Sequence, residues 1–165
     1  IDIEGLRTAW RAMKDTHEFF GMLGKFKVGR VQALRLVGED MARELPARAL
    51  RSAIEAAGAD GTPIMIFVGN RGCIQIHTGP VKRLVVTHGW FNVLDPTFNL
   101  HLRDSGVVRV FSVRKATVDG IVTSIEAFDD RARNVLLMFG ERKPGKPELE
   151  QWRALVARIE KQAAS

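Results

Sequence analysis

The stretch VVRVFSVRKATVDGIVTSIEAFDDRARNVLLMFGE, residues 107–141, decides the fold. It holds three runs rich in β-branched and aromatic residues, at 107–115, 121–128 and 134–141. Asp119-Gly120 and Asp129-Asp130-Arg131 separate them. The runs have strand composition and the separators are turn signals. Turns this short join neighbouring strands, so the three predict an antiparallel meander. A fourth strand, 98–103, precedes them across Asp104-Ser105-Gly106.

Upstream, Ile64-Met65-Ile66-Phe67-Val68 is a short apolar run behind Pro63, and Gly69-Asn70-Arg71-Gly72 turns the chain. Residues 73–78 then alternate, with Ile74 and Ile76 on one strand face and Cys73, Gln75 and His77 on the other. Residues 81–87 are another strand, and 92–96 read as a loop. The flanks are helical. Ile3, Leu6, Trp10, Met13, His17 and Phe20 recur at steps of three and four, which predicts one helix over 3–20, ended by Gly21 and Gly24. A second helix is expected over 30–37. A third, over 46–57, opens on Pro46 and is capped by Gly58. A last one, over 148–161, turns Trp152, Leu155, Val156 and Ile159 inward. The order, helices then sheet then helix, is that of an α+β domain: a large, mostly antiparallel sheet flanked by helices, as one domain over 1–165.

With 165 residues, 45% hydrophobic and 27% charged, the chain fits one ordinary globular domain. Its 25 Lys and Arg against 19 Asp and Glu give +6, with a pI near 10.0. That balance suits an anionic partner without choosing one. The cations do not gather into a stripe, acidic residues interleave with them, and no nucleic-acid signature is present, so nucleic acid is not the expected partner. A single cysteine excludes an internal disulfide framework and fits a reducing compartment such as the cytoplasm. No apolar run approaches the ~18 residues of a membrane span, so membrane insertion is not expected. The opening Ile1-Asp2-Ile3-Glu4 has no signal-peptide character, and without an initiator Met it reads as a piece of something longer.

The sequence has no phosphate-binding loop, no spaced glycine fingerprint and no paired metal ligands. Carboxylates are scattered, without an evident acid–base pair. His17 stands out, because it sits on the apolar stripe between Met13 and Phe20. A neutral imidazole in such a setting is either a haem-iron ligand or a core histidine bonded to a carbonyl. His77 and His101 fall on polar strand faces, as surface histidines do. His88 ends a strand before Gly89. Cys73 is expected to be a small buried thiol. Arg30, Arg114-Lys115 and Arg142-Lys143 place cations near element ends. Phe111, Val113 and Lys115 share one strand face; Leu136, Met138, Gly140 and Arg142 share another. A cation closing an apolar face suits a greasy ligand with carboxylates at its rim, or is simply a solvated strand end.

Taken together, these residues carry a resemblance. Trp10-Arg11-Ala12-Met13-Lys14-Asp15-Thr16-His17-Glu18-Phe19-Phe20, the run from Ile64 to Ile76, Trp90-Phe91-Asn92-Val93, Phe98-Asn99-Leu100-His101-Leu102 and Val113-Arg114-Lys115 follow in order and spacing. Over essentially its whole length the chain resembles the C-terminal half of the bacterial cytoplasmic haemin transport and haemin-degrading proteins, the HemS, ChuS and PhuS group.

The resemblance implies one half of a duplicated fold, binding haem in a cleft between halves. It places an axial iron ligand at His17 and basic cleft residues at Arg30, Lys115 and Arg142. Met65 and Phe67 would lie near the porphyrin, with Phe20 beside them. The second ring nitrogen of His17 would then need a carbonyl or carboxylate partner. The implied role is cytoplasmic haem trafficking in iron acquisition, with a haem oxygenase or a haem-uptake membrane transporter as exchange partner. Haem degradation is the alternative, and a purely structural dimerisation unit a further one. The N-terminal half is absent from this sequence, so a homodimer or a separately supplied half would complete the cleft. One departure stands in an aromatic-Gly-x-Arg stretch near the last strand: where the family often has tyrosine, this chain has Phe139, which has no phenol to donate.

Overall fold

A computed structural model describes residues 1–165. Three helices come first: α1 (Ile3–Arg11), α2 (Glu18–Phe26) and α3 (Arg30–Leu36). Strand β1 (Ala42–Leu45) and helix α4 (Ala49–Asp60) follow. Then come β2 (Ile64–Gly69), β3 (Ile74–Gly79), β4 (Leu84–Thr87), β5 (Trp90–Asp95) and β6 (Phe98–Arg103). After a 3₁₀ turn at Asp104–Gly106 the chain runs through β7 (Arg109–Thr117), β8 (Gly120–Phe128) and β9 (Asn134–Gly140), and ends in α5 (Glu150–Ala164).

All strand pairs are antiparallel. One sheet has six strands in the order β1-β7-β8-β9-β2-β3, and a smaller one runs β4-β5-β6. The β7–β8–β9 meander is the one expected, and the α+β architecture is as read from the sequence.

The large sheet has two unlike faces. One carries Val110, Ile125, Ala127, Leu136, Met138, Ile64 and Ile66, packed with α4, α5 and the small sheet into one core. The other carries Ala42, Phe111, Val113 and Phe128, packed under α1, α2 and α3 into a second. That second core uses β1, β7 and β8 alone. Over β9, β2 and β3 the same face, with Leu137, Phe139, Met65, Phe67, Ile76 and Ile74, has no helix above it; its β9 and β2 side chains are only half-buried and its two isoleucines exposed.

Several expectations are corrected. The first helix does not run to Phe20. It stops at Arg11, and a new helix begins at Glu18 with a new phase, so Phe19, Met22 and Leu23 face the core while His17 and Phe20 face solvent. The carboxylate of Glu18 accepts the Lys14 and Asp15 amides and that of Asp15 accepts the His17 amide, and such local bonds compete with a continuous helix. Gly21 and Gly24 therefore lie inside α2, which ends at Lys27 in the left-handed region, φ 52°. Gly58 does not cap α4; Gly61, φ 68°, does. A Cβ at Gly58 would stand 3.1 Å from Leu84, so its glycine serves the helix–strand approach.

Residues 92–95 are not a loop but part of β5. Asn92 and Asp95 are buried there because their side chains are satisfied: Asn92 donates to the Val85 carbonyl at 2.9 Å, and Asp95 accepts the Lys82 and Arg83 amides at 3.0 and 2.8 Å. The short strand β1 was not foreseen. Cys73 is exposed, not buried. Leu136, Met138 and Gly140 face the α5 side, and Trp152 lies directly on Gly140; Arg142 follows the end of β9 and does not close that face. No helix is long and apolar enough to cross a membrane.

Candidate functional site

The turn between α1 and α2 is built to present an imidazole. Trp10 donates its indole N–H to the Arg114 carbonyl at 2.7 Å, pinning α1 on β7. The Val118 amide donates to the Lys14 carbonyl at 2.9 Å, tying the turn to the β7–β8 hairpin. Within the turn, Asp15 Oδ1 accepts both the His17 amide, at 2.8 Å, and His17 Nδ1, at 2.6 Å. These two bonds from His17 hold the exposed Asp15 carboxyl below its usual range. With Nδ1 donating, Nε2 is the free nitrogen, on a side chain 93% exposed.

Behind His17 lies a buried charge triad. Glu126, on β8, is fully buried. One of its oxygens accepts from Lys115 Nζ and the other from Arg30 Nε, each at 2.9 Å. Both cations also lean on aromatic rings: Lys115 lies 4.2 Å from the Phe19 centroid, and Arg30 lies 4.9 Å from Phe19 and 5.5 Å from Phe20. Burial pushes the Glu126 carboxyl up, but the two cations together outweigh it and hold it down at about 2. Burial also pushes the Lys115 ammonium down; Glu126 opposes this and Arg30 adds to it. The two downward shifts have different causes, the neighbouring cations for Glu126 and burial for Lys115; with one anion between two cations, the triad carries a net +1.

In front of the triad is a cleft of about 690 Å³. Its floor is the uncovered sheet face: Met65 and Phe67 from β2, Leu137 and Phe139 from β9. Phe67 and Phe139 meet edge to face at 5.3 Å. Exposed Phe20 and Val118 stand at the mouth. Arg142 lies 3.8 Å from Asp119, which also accepts the Gly145 amide.

The structure brings His17, Arg30, Met65, Phe67, Lys115 and Arg142 around this one cleft. Lys115 is 4% exposed, so it is not a solvated strand end. His17 lines the cleft from an exposed turn and not from an apolar stripe, which corrects the reason it was singled out. The other histidines lie elsewhere: His77 stacks on Phe98 at 3.9 Å, His101 bonds Asn92 at 2.7 Å, and His88 sits in the β4–β5 turn. No cluster of three or more His, Cys, Asp or Glu side chains could hold a bare metal ion. Sequence reasoning missed Asp15, Asp119 and Glu126. Glu126 had a signal: it stands between Ile125 and Ala127 as the one charged residue of its strand, and a carboxylate there requires a cation.

Comparison with known proteins places this geometry in context. The family model described as "Haemin-degrading HemS.ChuX domain" matches residues 27–159. The hemin transport protein HmuS of Yersinia pestis is 41% identical over 150 residues, covering 91% of this chain and 44% of its own. The structure of holo-PhuS, a heme-binding protein from Pseudomonas aeruginosa, superposes with TM-score 0.93 at 52% identity, covering 94% of this chain and 45% of that one. ChuS, described as an E. coli heme oxygenase, superposes with TM-score 0.93 at 41% identity, covering 96% and 48%. The chain thus spans about half the length of each.

Proposed function

Because the chain belongs to the haemin-degrading HemS.ChuX domain family, we propose that it binds haem in this cleft as a cytoplasmic trafficking protein of iron acquisition. One observation carries the reading. The cleft offers a free imidazole nitrogen at one wall, an apolar aromatic floor, and a cationic wall behind. Haem presents the matching chemistry: an iron that takes imidazole, a flat apolar body, and two carboxylates.

In this reading His17 Nε2 is the axial ligand, and Asp15 fixes its tautomer and orientation. Met65 and Phe67, with Phe20 at the mouth, give the porphyrin an apolar surface, where burial contributes about 25 cal/mol per Å². Arg30, Lys115 and Arg142 face the propionates. A second unit of the same fold, as a second copy or a separate half, covers the exposed side; the double length of the relatives supports this. Haem is received from an uptake transporter or passed to an oxygenase.

Titration with ferric haemin tests the reading. A saturable one-to-one Soret band is expected, and His17→Ala should lose its histidine-ligated character and weaken binding at least tenfold. An unchanged band in the variant removes the ligand assignment. No saturable band in either protein rejects binding by this chain alone.

The family description and the likeness to ChuS favour haem degradation as a second reading. Turnover with ascorbate in the presence of catalase separates the two. A biliverdin-like product supports degradation, and its absence supports trafficking.

A further inference from the structure

Two cations side by side repel one another, and burial disfavours the charge on Lys115. Arg30 comes from α3 and Lys115 from β7, and nothing covalent brings them together. Glu126 does, with one carboxylate oxygen for each. Ser124 adds a bond to the oxygen that holds Lys115, at 3.2 Å. We infer that Glu126 is a positioning residue: without touching the ligand, it keeps Lys115 charged and holds it beside Arg30 as one receiving wall for a ligand carboxylate. This rests on the haem reading of the cleft and adds to it the group that prepares the cations.

The surrounding charges leave Glu126 as the one counter-ion for Lys115. Arg30 and Glu126 face its ammonium directly. Glu148, ahead of α5 on the cleft wall, is taken up by Arg153 at 2.8 Å and by the Thr123 amide and hydroxyl, both at 2.7 Å. At the rim, Asp15 is bonded to His17 and Asp119 lies beside Arg142; Lys14 brings a further positive charge to the cleft.

Replacing Glu126 by Gln keeps the shape and removes the charge. Lys115 then stands beside Arg30 with no anion and gives up its proton. When haemin arrives, a propionate supplies the missing anion, and the Lys115 amine takes one proton from solvent. Binding thereby acquires a pH dependence additional to the parent's, up to tenfold per pH unit for one proton.

The test compares ferric haemin affinity of the parent, Glu126→Gln, and Glu126→Gln with Lys115→Met, at pH 6.5 and 8.5. His17 is common to all three, so the ratio of variant to parent is read. For Glu126→Gln we expect binding within threefold of the parent at pH 6.5 and at least tenfold weaker at pH 8.5. For the double variant we expect the same ratio at both values. A Glu126→Gln ratio that does not change with pH, in a protein that melts cooperatively, overturns the proposal and leaves a structural role. Side-chain NMR of Lys115 in the ligand-free parent adds a readout independent of folding in the variants. Its ammonium should stay charged through pH 8, and deprotonation below that value also overturns the proposal. If the parent binds no haemin, the haem reading fails, while the Lys115 titration still decides whether Glu126 holds the charge.

Discussion

A histidine on the surface is ordinary until its ring is tied at one nitrogen. Asp15 and His17 are two residues apart, and the short Asp15 side chain reaches both the amide and Nδ1 of His17. That bond fixes the tautomer and leaves Nε2 free. Asp15→Asn should keep the fold and weaken ferric haemin binding about tenfold, the low end for outer-shell changes at an exposed site; absorbance titration reads it. Glu126 is the second residue whose environment sets its behaviour. Its carboxyl is held at about 2, below the ordinary 4.5 that applies when the chain unfolds. The folded state therefore binds fewer protons, so the stabilisation is complete above about pH 4.5 and is lost as pH falls toward 2. Its size is on the order of 3 kcal/mol. Urea unfolding at pH 5 and pH 3 should show a steeper loss in the parent than in Glu126→Gln. At this scale, the composition of the cleft was legible through the family resemblance, but the partners of its charges were not. A salt bridge between β7 and β8 depends on register, and register is set by the whole sheet.

Elements built on local chemistry were the easiest to read. The hairpins closed by Asp119-Gly120 and by Gly69–Gly72 announce themselves, and the stripe of α5 is regular. The errors fall where a few side-chain bonds override a pattern. The stripe from Ile3 to Phe20 crosses a break made by Asp15 and Glu18, and β5 hides behind Asn92 and Asp95, residue types that usually mark loops. Gly140 shows a constraint that no strand pattern displays. A Cβ there would lie 2.5 Å from the Trp152 ring. Gly140→Ala must push α5 off β9, and should cost about 1–3 kcal/mol in denaturant unfolding, the range for an overpacked core.

At the scale of the molecule, the cleft exists because three helices cover only half of one sheet face. Sequence reading supplied the layers but not the uncovered half, since helix coverage follows from where α2 starts, and the reading of one helix over 3–20 did not separate α2 from α1. The net charge of +6 belongs to the whole chain, whereas the triad concentrates a net +1 at one wall of the cleft. Long-range attraction and local fixation of an anion are thus separate properties of this chain.

The two rims of the large sheet also differ. At β1 the edge is short and carries exposed Arg43 and Glu44, each in an ion pair. At β3 the edge is six residues long, Ile74-Gln75-Ile76-His77-Thr78-Gly79, with no acidic residue, lysine or arginine and with both isoleucines more than half exposed. Charged side chains are the common safeguard against strand addition, and this rim has none. Residues 74–79 are therefore an edge open to pairing with a strand of another copy, and the chain's surplus of positive charge opposes that approach.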